Sequence, residues 1–209
     1  MHLKHLFAPL LLAGIVSAAP ANIENRESCS AVRLVHAAGT TESGLGLVGT
    51  PLAKEFASVI PGTTSYAIPY DTSTEYVASV AEGARMTEQY LAAQSARCPD
   101  QRFVLSGYSK GAMVMHKTNL SSDLKSKVFA VLVFGDPHRK VGKDNTWPIN
   151  LPSVNSSPRS GHSSTQNVAS FCNSGDEFCD TASARFGPHL AYSSDGSIET
   201  AVNFAKERA

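Results

Sequence analysis

Short apolar runs alternate with longer segments of helical spacing along most of this chain. Ala31 to Ala37 reads as a first buried strand, closed by a Gly/Thr/Ser-rich turn from Gly39 to Gly46. Thr50 to Val59 has helical spacing, with Pro51 near its first turn. Tyr66 to Tyr70 fits a second strand. Ser73 to Arg97 is the longest helical segment, apolar at Val77, Val80, Ala81, Ala84, Leu91 and Ala92. Phe103 to Gly107 predicts a third strand, leading into a helix through about Asn119. Ser121 to Lys127 is a polar connector. Val128 to Phe134 is apolar throughout, as in a strand buried on both faces. Residues 137–165 are rich in Pro, Ser, Asn and Gly and read as a long surface loop. Val168 to Phe171 is a last short strand, and Ile198 to Glu207 a closing amphipathic helix. Strands alternating with helices predict one α/β domain with a mostly parallel sheet. No internal repeat or second domain is legible.

The first residues do not share this pattern. A weakly basic start at His2, Lys4 and His5 precedes an almost continuously apolar Leu6 to Val16. Val16-Ser17-Ala18 then offers small residues for cleavage. Residues 1–18 are therefore expected to be a secretory signal, too short to span a membrane, with a single domain over 19–209. The whole chain has a formal net charge of +0, and Lys4 is the one charged residue in 1–18, so about −1 remains after cleavage. That balance leaves no footprint for nucleic acid or anionic lipid. An exported chain meets oxidising conditions, so Cys29, Cys98, Cys172 and Cys179 are expected to form two disulfides. Three connectivities exist. Cys172 and Cys179 bracket a short loop and pair locally, leaving Cys29 with Cys98. Their spacing matches no common zinc pattern. Asn119-Leu120-Ser121 and Asn155-Ser156-Ser157 are glycosylation sequons.

Candidate chemistry sits where the third strand ends. Gly107-Tyr108-Ser109-Lys110-Gly111 is a G-x-S-x-G pattern between an apolar strand and a helix-compatible run. A serine hydroxyl is a weak nucleophile, so it needs a base and a site for the developing oxyanion. An acid and then a histidine should follow it in the chain. Asp176, between Cys172 and Cys179, and His189, in Gly187-Pro188-His189-Leu190, satisfy that order. Glu177 and Asp136 are the competing acids, and Asp136 at a strand end reads better as a loop anchor. The backbone N–H of Lys110 and the Thr40 backbone and hydroxyl, in Gly39-Thr40-Thr41-Glu42, are the candidate oxyanion donors.

Together these residues resemble the cutinase family of secreted fungal serine esterases. The likeness rests on Gly-Thr-Thr-Glu at 39–42, Cys98-Pro99-Asp100, Gly-Tyr-Ser-Lys-Gly at 107–111, Cys-x-x-Gly-Asp-x-x-Cys at 172–179 and Pro-His-Leu-Ala-Tyr at 188–192. It implies a three-layer α/β-hydrolase fold with a five-stranded sheet and no lid. It also implies a Ser109, Asp176, His189 triad and bridges Cys29–Cys98 and Cys172–Cys179. The expected substrate is cutin or another aliphatic polyester, with short-chain esters also cleaved. No cofactor, metal, nucleic-acid or membrane partner is expected, and the chain is expected to be a secreted, extracellular monomer. Two positions depart from the family pattern. Thr40 stands where serine is common, and Lys110 where glutamine is common. The lysine is expected to bring a cation near the site, lowering the His189 pKa or favouring acidic substrates. Phe134-Gly135-Asp136-Pro137 resembles acetylxylan esterases, which makes xylan deacetylation the alternative activity. A host-interaction protein on an inactive esterase scaffold is the non-enzyme alternative.

His36, His116, His138 and His162 have no metal-ligand spacing and read as surface or core residues. Met113 and Met115 read as helix core or pocket lining. Leu190 is a candidate for facing the acyl chain, and Trp147 for binding a surface.

Overall fold

The computed structural model describes residues 29–142, 146–149, 154–182 and 185–209. The signal expected over 1–18 lies outside the described residues. Strands β1 (Val32–Ala37), β2 (Thr64–Ala67), β3 (Arg102–Tyr108), β4 (Val128–Phe134), β5 (Val154–Asn155) and β6 (Val168–Phe171) form one sheet. Its order is β2-β1-β3-β4-β6-β5, and every neighbouring pair is parallel. The resemblance implied five strands. The sixth is β5, two residues paired to β6 at the sheet edge, inside the segment read as loop. Two residues carry no periodicity, so only the pairing reveals them.

Alternate residues of each central strand feed two apolar layers. Leu34, Val104, Leu132 and Phe134 pack with helices α1 (Gly46–Val59) and α7 (Ser197–Lys206) through Leu52, Phe56, Val202 and Phe204. Val35, Leu105, Val131 and Val133 face α2 (Val77–Arg97) and α3 (Lys110–Lys117) through Val80, Leu91, Val114 and Met115. This is why Val128 to Phe134 is apolar at every position: both its faces are buried. Short helices α4 (Ser122–Lys127), α5 (Pro137–Val141) and α6 (Gly187–Leu190) complete the described elements that matter to the site.

Two helix starts differ from expectation, each because of a carboxylate. α1 begins at Gly46, ahead of Thr50, and the Glu42 carboxylate accepts from the Leu47 N–H at 2.8 Å. α2 begins at Val77 and not at Ser73. The Glu75 carboxylate receives the Val77, Ala78 and Ser79 N–H groups, satisfying donors that lack intrahelical partners. Residues 71–76 are thereby left as a non-helical strap beside the oxyanion-loop candidates. β2 also runs earlier than expected, over Thr64–Ala67.

Candidate active site

After β1 the chain moves outward to β2 and then returns to lay β3 on the other side of β1. Open α/β sheets bind ligands at such a reversal, beyond the carboxyl ends of the strands. The Gly39–Gly46 loop leaves β1 there, and Ser109 follows β3.

Ser109 has φ 53° and ψ −116°, a conformation that costs a non-glycine residue roughly 1–3 kcal/mol. Its neighbours make that geometry the only way the elements close. A Cβ on Gly107 would lie 2.2 Å from the Gly111 carbonyl oxygen, and one on Gly111 would lie 1.9 Å from that of Ala37. Only hydrogen fits at either place. The Ser109 N–H donates to the Phe134 carbonyl at 2.9 Å, tying the turn to β4. Its side chain does not cap α3.

His189 on α6 is brought to Asp176. Its Nδ1 lies 3.0 Å from Asp176 Oδ1 and 2.9 Å from Oδ2. A carboxylate facing Nδ1 requires the proton there, which leaves Nε2 of the neutral ring as an acceptor. Asp176 is fully buried. Burial raises its pKa, but the bonds from His189, Tyr192 and the Phe178 N–H outweigh this and hold it below the ordinary 3.8. The Tyr192 hydroxyl donates to Asp176 Oδ2 at 2.6 Å, and Phe178 N donates to Oδ1 at 2.8 Å. The His189 ring lies 5.0 Å from that of Tyr108 and 4.3 Å from that of Phe178. The Tyr108 hydroxyl donates to the His189 carbonyl at 2.8 Å. A Cβ on Gly135 would come within 2.6 Å of His189 Cε1. These contacts set the imidazole at the ends of β3 and β4, against Tyr108 and Gly135. Among the described residues no hydrogen bond joins Ser109 Oγ to His189, and such bonds commonly tighten only with substrate bound.

The bridges are Cys29–Cys98 and Cys172–Cys179, and the second closes the loop that carries Asp176. The competing acids are elsewhere. Asp136 accepts from the His138 N–H and from His116 Nε2 at 2.7 Å, the anchoring role expected of it. Among the described residues no hydrogen bond or ion pair joins the Glu177 carboxylate to His189.

The oxyanion-loop candidates are held from two directions. The Glu42 carboxylate also accepts from the Gly39 N–H at 2.6 Å. Thr41, with φ 64°, donates its N–H to the Thr72 carbonyl at 2.7 Å. Thr40 Oγ1 lies 3.0 Å from the Tyr76 hydroxyl. Lys110 opens α3, so its N–H is one of the donors a helix start leaves unpaired. Its side chain departs from expectation. The ammonium is not presented to the site but buried under residues 71–75, donating to the carbonyls of Asp71, Ser73 and Glu75. Burial lowers its pKa, opposed by the Asp71 and Glu75 carboxylates.

Of the other candidates, His116 is a core residue, bonded to Asp136 and to the Thr146 carbonyl. Trp147 packs on it in a tilted arrangement, ring centroids 4.0 Å apart, and is half-buried, so packing accounts for its place. His162 pairs with Glu207. Met115 is core, and Met113 lines a cavity of about 1010 Å³ with Val80, Trp147 and Ile149. Leu190 is 44% exposed and so is not core packing. Asn155 is buried, its amide donating to the Gly161 carbonyl, whereas Asn119 is exposed. Sequence reasoning missed Tyr108, Tyr192, Glu42 and Tyr76 as members of the site. Glu42 and Tyr192 stood inside the quoted motifs, but polar contacts across 16 to 81 positions leave no periodic trace.

The family model "Cutinase" matches residues 28–209. A cutinase of Kineococcus radiotolerans is 34% identical over 193 residues, covering 85% of this chain and 61% of that protein. This chain thus spans less than two thirds of the length of that relative. The structure also resembles the catalytic core of an acetyl xylan esterase from Trichoderma reesei, with TM-score 0.70 and 24% identity over 87% of this chain and 100% of that one. A Trichoderma reesei cutinase bound to a phosphonate inhibitor gives TM-score 0.65 and 25% identity over 85% and 77%.

Proposed function

The chain belongs to the cutinase family, and from that premise we propose that it is a carboxylic ester hydrolase working through an acyl-enzyme on Ser109. The observation that carries this is the buried Asp176–His189 pair, whose imidazole packs on Tyr108, the residue that leads into the strained Ser109 turn. Ser109 Oγ attacks the ester carbonyl while His189 Nε2 takes its proton. Asp176 keeps Nδ1 protonated and stabilises the imidazolium that forms. The N–H groups of Lys110 and Thr40 receive the developing oxyanion. His189 then gives its proton to the departing alcohol, and the acyl group stays on Ser109. Water, deprotonated by the same Nε2, releases the acid and restores the serine. Every proton is accounted for within the triad, so the chemistry calls for neither metal nor cofactor.

The substrate is an aliphatic polyester such as cutin, with short-chain esters also cleaved. Exposed Leu47, Tyr76, Val77, Phe186 and Leu190 support this. Phe186 and Leu190 flank His189, Tyr76 touches Thr40, and Leu47 is bonded to Glu42, so apolar side chains edge the site. Such an edge suits an apolar polymer surface better than a polysaccharide. Deacetylation of xylan is the second reading, favoured by Phe134-Gly135-Asp136-Pro137. The two disulfides agree with secretion to an extracellular, oxidising setting, where the protein acts as a monomer.

Hydrolysis of p-nitrophenyl butyrate by the wild type and by Ser109→Ala is the deciding experiment. Turnover is expected to fall at least about 1000-fold in the variant. Turnover that survives would refute Ser109 as nucleophile. Acetate release from acetylated xylan, with no release from a polyester film, would install the second reading.

A further inference from the structure

The reaction above uses the Lys110 backbone and leaves its side chain without a task. That side chain is nonetheless fully buried, an unusual place for an ammonium. All its donors are spent on main chain: the carbonyls of Asp71 at 2.9 Å, Ser73 at 2.6 Å and Glu75 at 2.7 Å. The rings of Tyr76 and Tyr70 lie 5.2 and 5.6 Å from Nζ, with their faces toward the cation. The cage therefore gathers the 71–76 strap around a single point at the start of α3.

The strap in turn holds the loop after β1. The Thr72 carbonyl accepts from the Thr41 N–H at 2.7 Å, and Thr72 Oγ1 donates to the Glu42 carbonyl at 2.7 Å. Tyr76 meets Thr40 Oγ1. Thr40 is thus fixed on its own side chain and on both residues that follow it, all from the strap. Thr41 sits at positive φ, a conformation that persists only where surroundings hold it. Short polar links run continuously from the Lys110 ammonium to the loop that carries Thr40.

We propose that Lys110 is a positioning residue for ester hydrolysis: its ammonium clamps the 71–76 strap, which sets the Thr40 loop as the second half of the oxyanion hole. This rests on the acyl-enzyme reading above. The nucleophile's neighbour thus contributes twice, by its own N–H and, through about two layers of contact, by aiming the opposing donor. An ammonium suits the task because it offers three donors to three carbonyls. A glutamine amide offers two and carries no charge to hold the oxygens together.

The test compares wild type with Lys110→Met and Thr72→Val, the second of which keeps the lysine and cuts the link from strap to loop. Each is assayed with p-nitrophenyl butyrate and with a butyl boronic acid, whose tetrahedral adduct on the serine places an oxygen in the oxyanion hole. For Lys110→Met, kcat is expected to fall about 100-fold with KM within about twofold, as for loss of an oxyanion donor. The boronic acid inhibition constant should rise in parallel with the fall in kcat. Thr72→Val should move both in the same direction, by about tenfold, with melting temperature near wild type. A rise in KM at unchanged kcat, or wild-type boronic acid affinity in a folded Lys110→Met, overturns the proposal. If Lys110→Met does not fold, Thr72→Val decides alone, and wild-type kcat there overturns it. Wild type without Ser109-dependent turnover refutes the acyl-enzyme reading, and the role of Lys110 falls with it.

Discussion

A histidine three residues before Gly39 illustrates how burial alone can set a side chain's chemistry. His36 is fully buried on β1, with Nδ1 3.1 Å from Ser106 Oγ and Nε2 without a hydrogen-bond partner among the described residues. Burial pushes its pKa from 6.5 down to about 3. Between those values the unfolded chain takes up a proton that the folded chain refuses. Stability therefore falls as pH drops from 6.5 toward 3, by up to about 1.4 kcal/mol per pH unit. Urea unfolding of wild type and His36→Gln at several pH values from 7 to 4.5 should show a shallower decline in the variant. Equal slopes would remove His36 as the source. The apolar run around His36 already sets it apart from His162, which lies in the polar 137–165 segment and pairs with Glu207, but the sequence did not show that His36 Nε2 would be left unpaired. Lys110 teaches the same lesson at the opposite charge. Its neighbours in sequence announce an elbow, whereas the fate of its ammonium depends on carbonyls 35 to 39 positions away.

At the scale of elements, the site is assembled from loops that follow regular strands, and each loop has its own fastening. Glu42 and the strap hold the first, the crossing glycines hold the second, and Cys172–Cys179 closes the third around Asp176. Removing that bridge with Cys172→Ser/Cys179→Ser should cost roughly 2–3 kcal/mol by loop closure. It should also lower kcat about tenfold or more, because Asp176 loses its restraint and His189 its orientation. Cys29→Ser/Cys98→Ser serves as the comparison, since that bridge ties the segment before β1 to the end of α2, away from the site. Its thermal stability should fall while kcat measured at 25 °C stays near wild type. Equal kcat losses in the two double variants would show that the Asp176 loop needs no local closure. The helix starts belong to this scale too. Apolar periodicity located α1 and α2, but the carboxylates of Glu42 and Glu75 moved their first turns by four residues, a choice made by hydrogen bonds and not by hydrophobic spacing.

For the molecule as a whole, near-zero formal charge and an apolar edge around the site point to adsorption driven by hydrophobic contact. Val77 is 86% exposed at the start of α2, and Leu190 lies next to His189. Val77→Ser/Leu190→Ser should reduce release of acid from a polyester film roughly tenfold, as about 1.4 kcal/mol of surface contact is lost. Turnover of p-nitrophenyl butyrate should remain within about threefold. Film and soluble activities falling together would mean that these residues shape the site and not its approach to a surface.

The pattern of apolar and polar positions determined the α/β class, the five longer strands and the main helices, because burial on one or two faces of a regular element imposes a period on the chain. The motifs determined which residue types stand at the strand ends, because a nucleophile elbow and its partners need particular chemistry at each place. Only the tertiary structure decided how those residues meet. It added the edge strand β5, drew the Lys110 cation into the strap, buried Asn155, packed Trp147 on His116, and brought Tyr192 to Asp176. Each of these depends on hydrogen bonds or packing between distant segments, whose partners are chosen by the folded geometry and leave no repeat for the sequence to display.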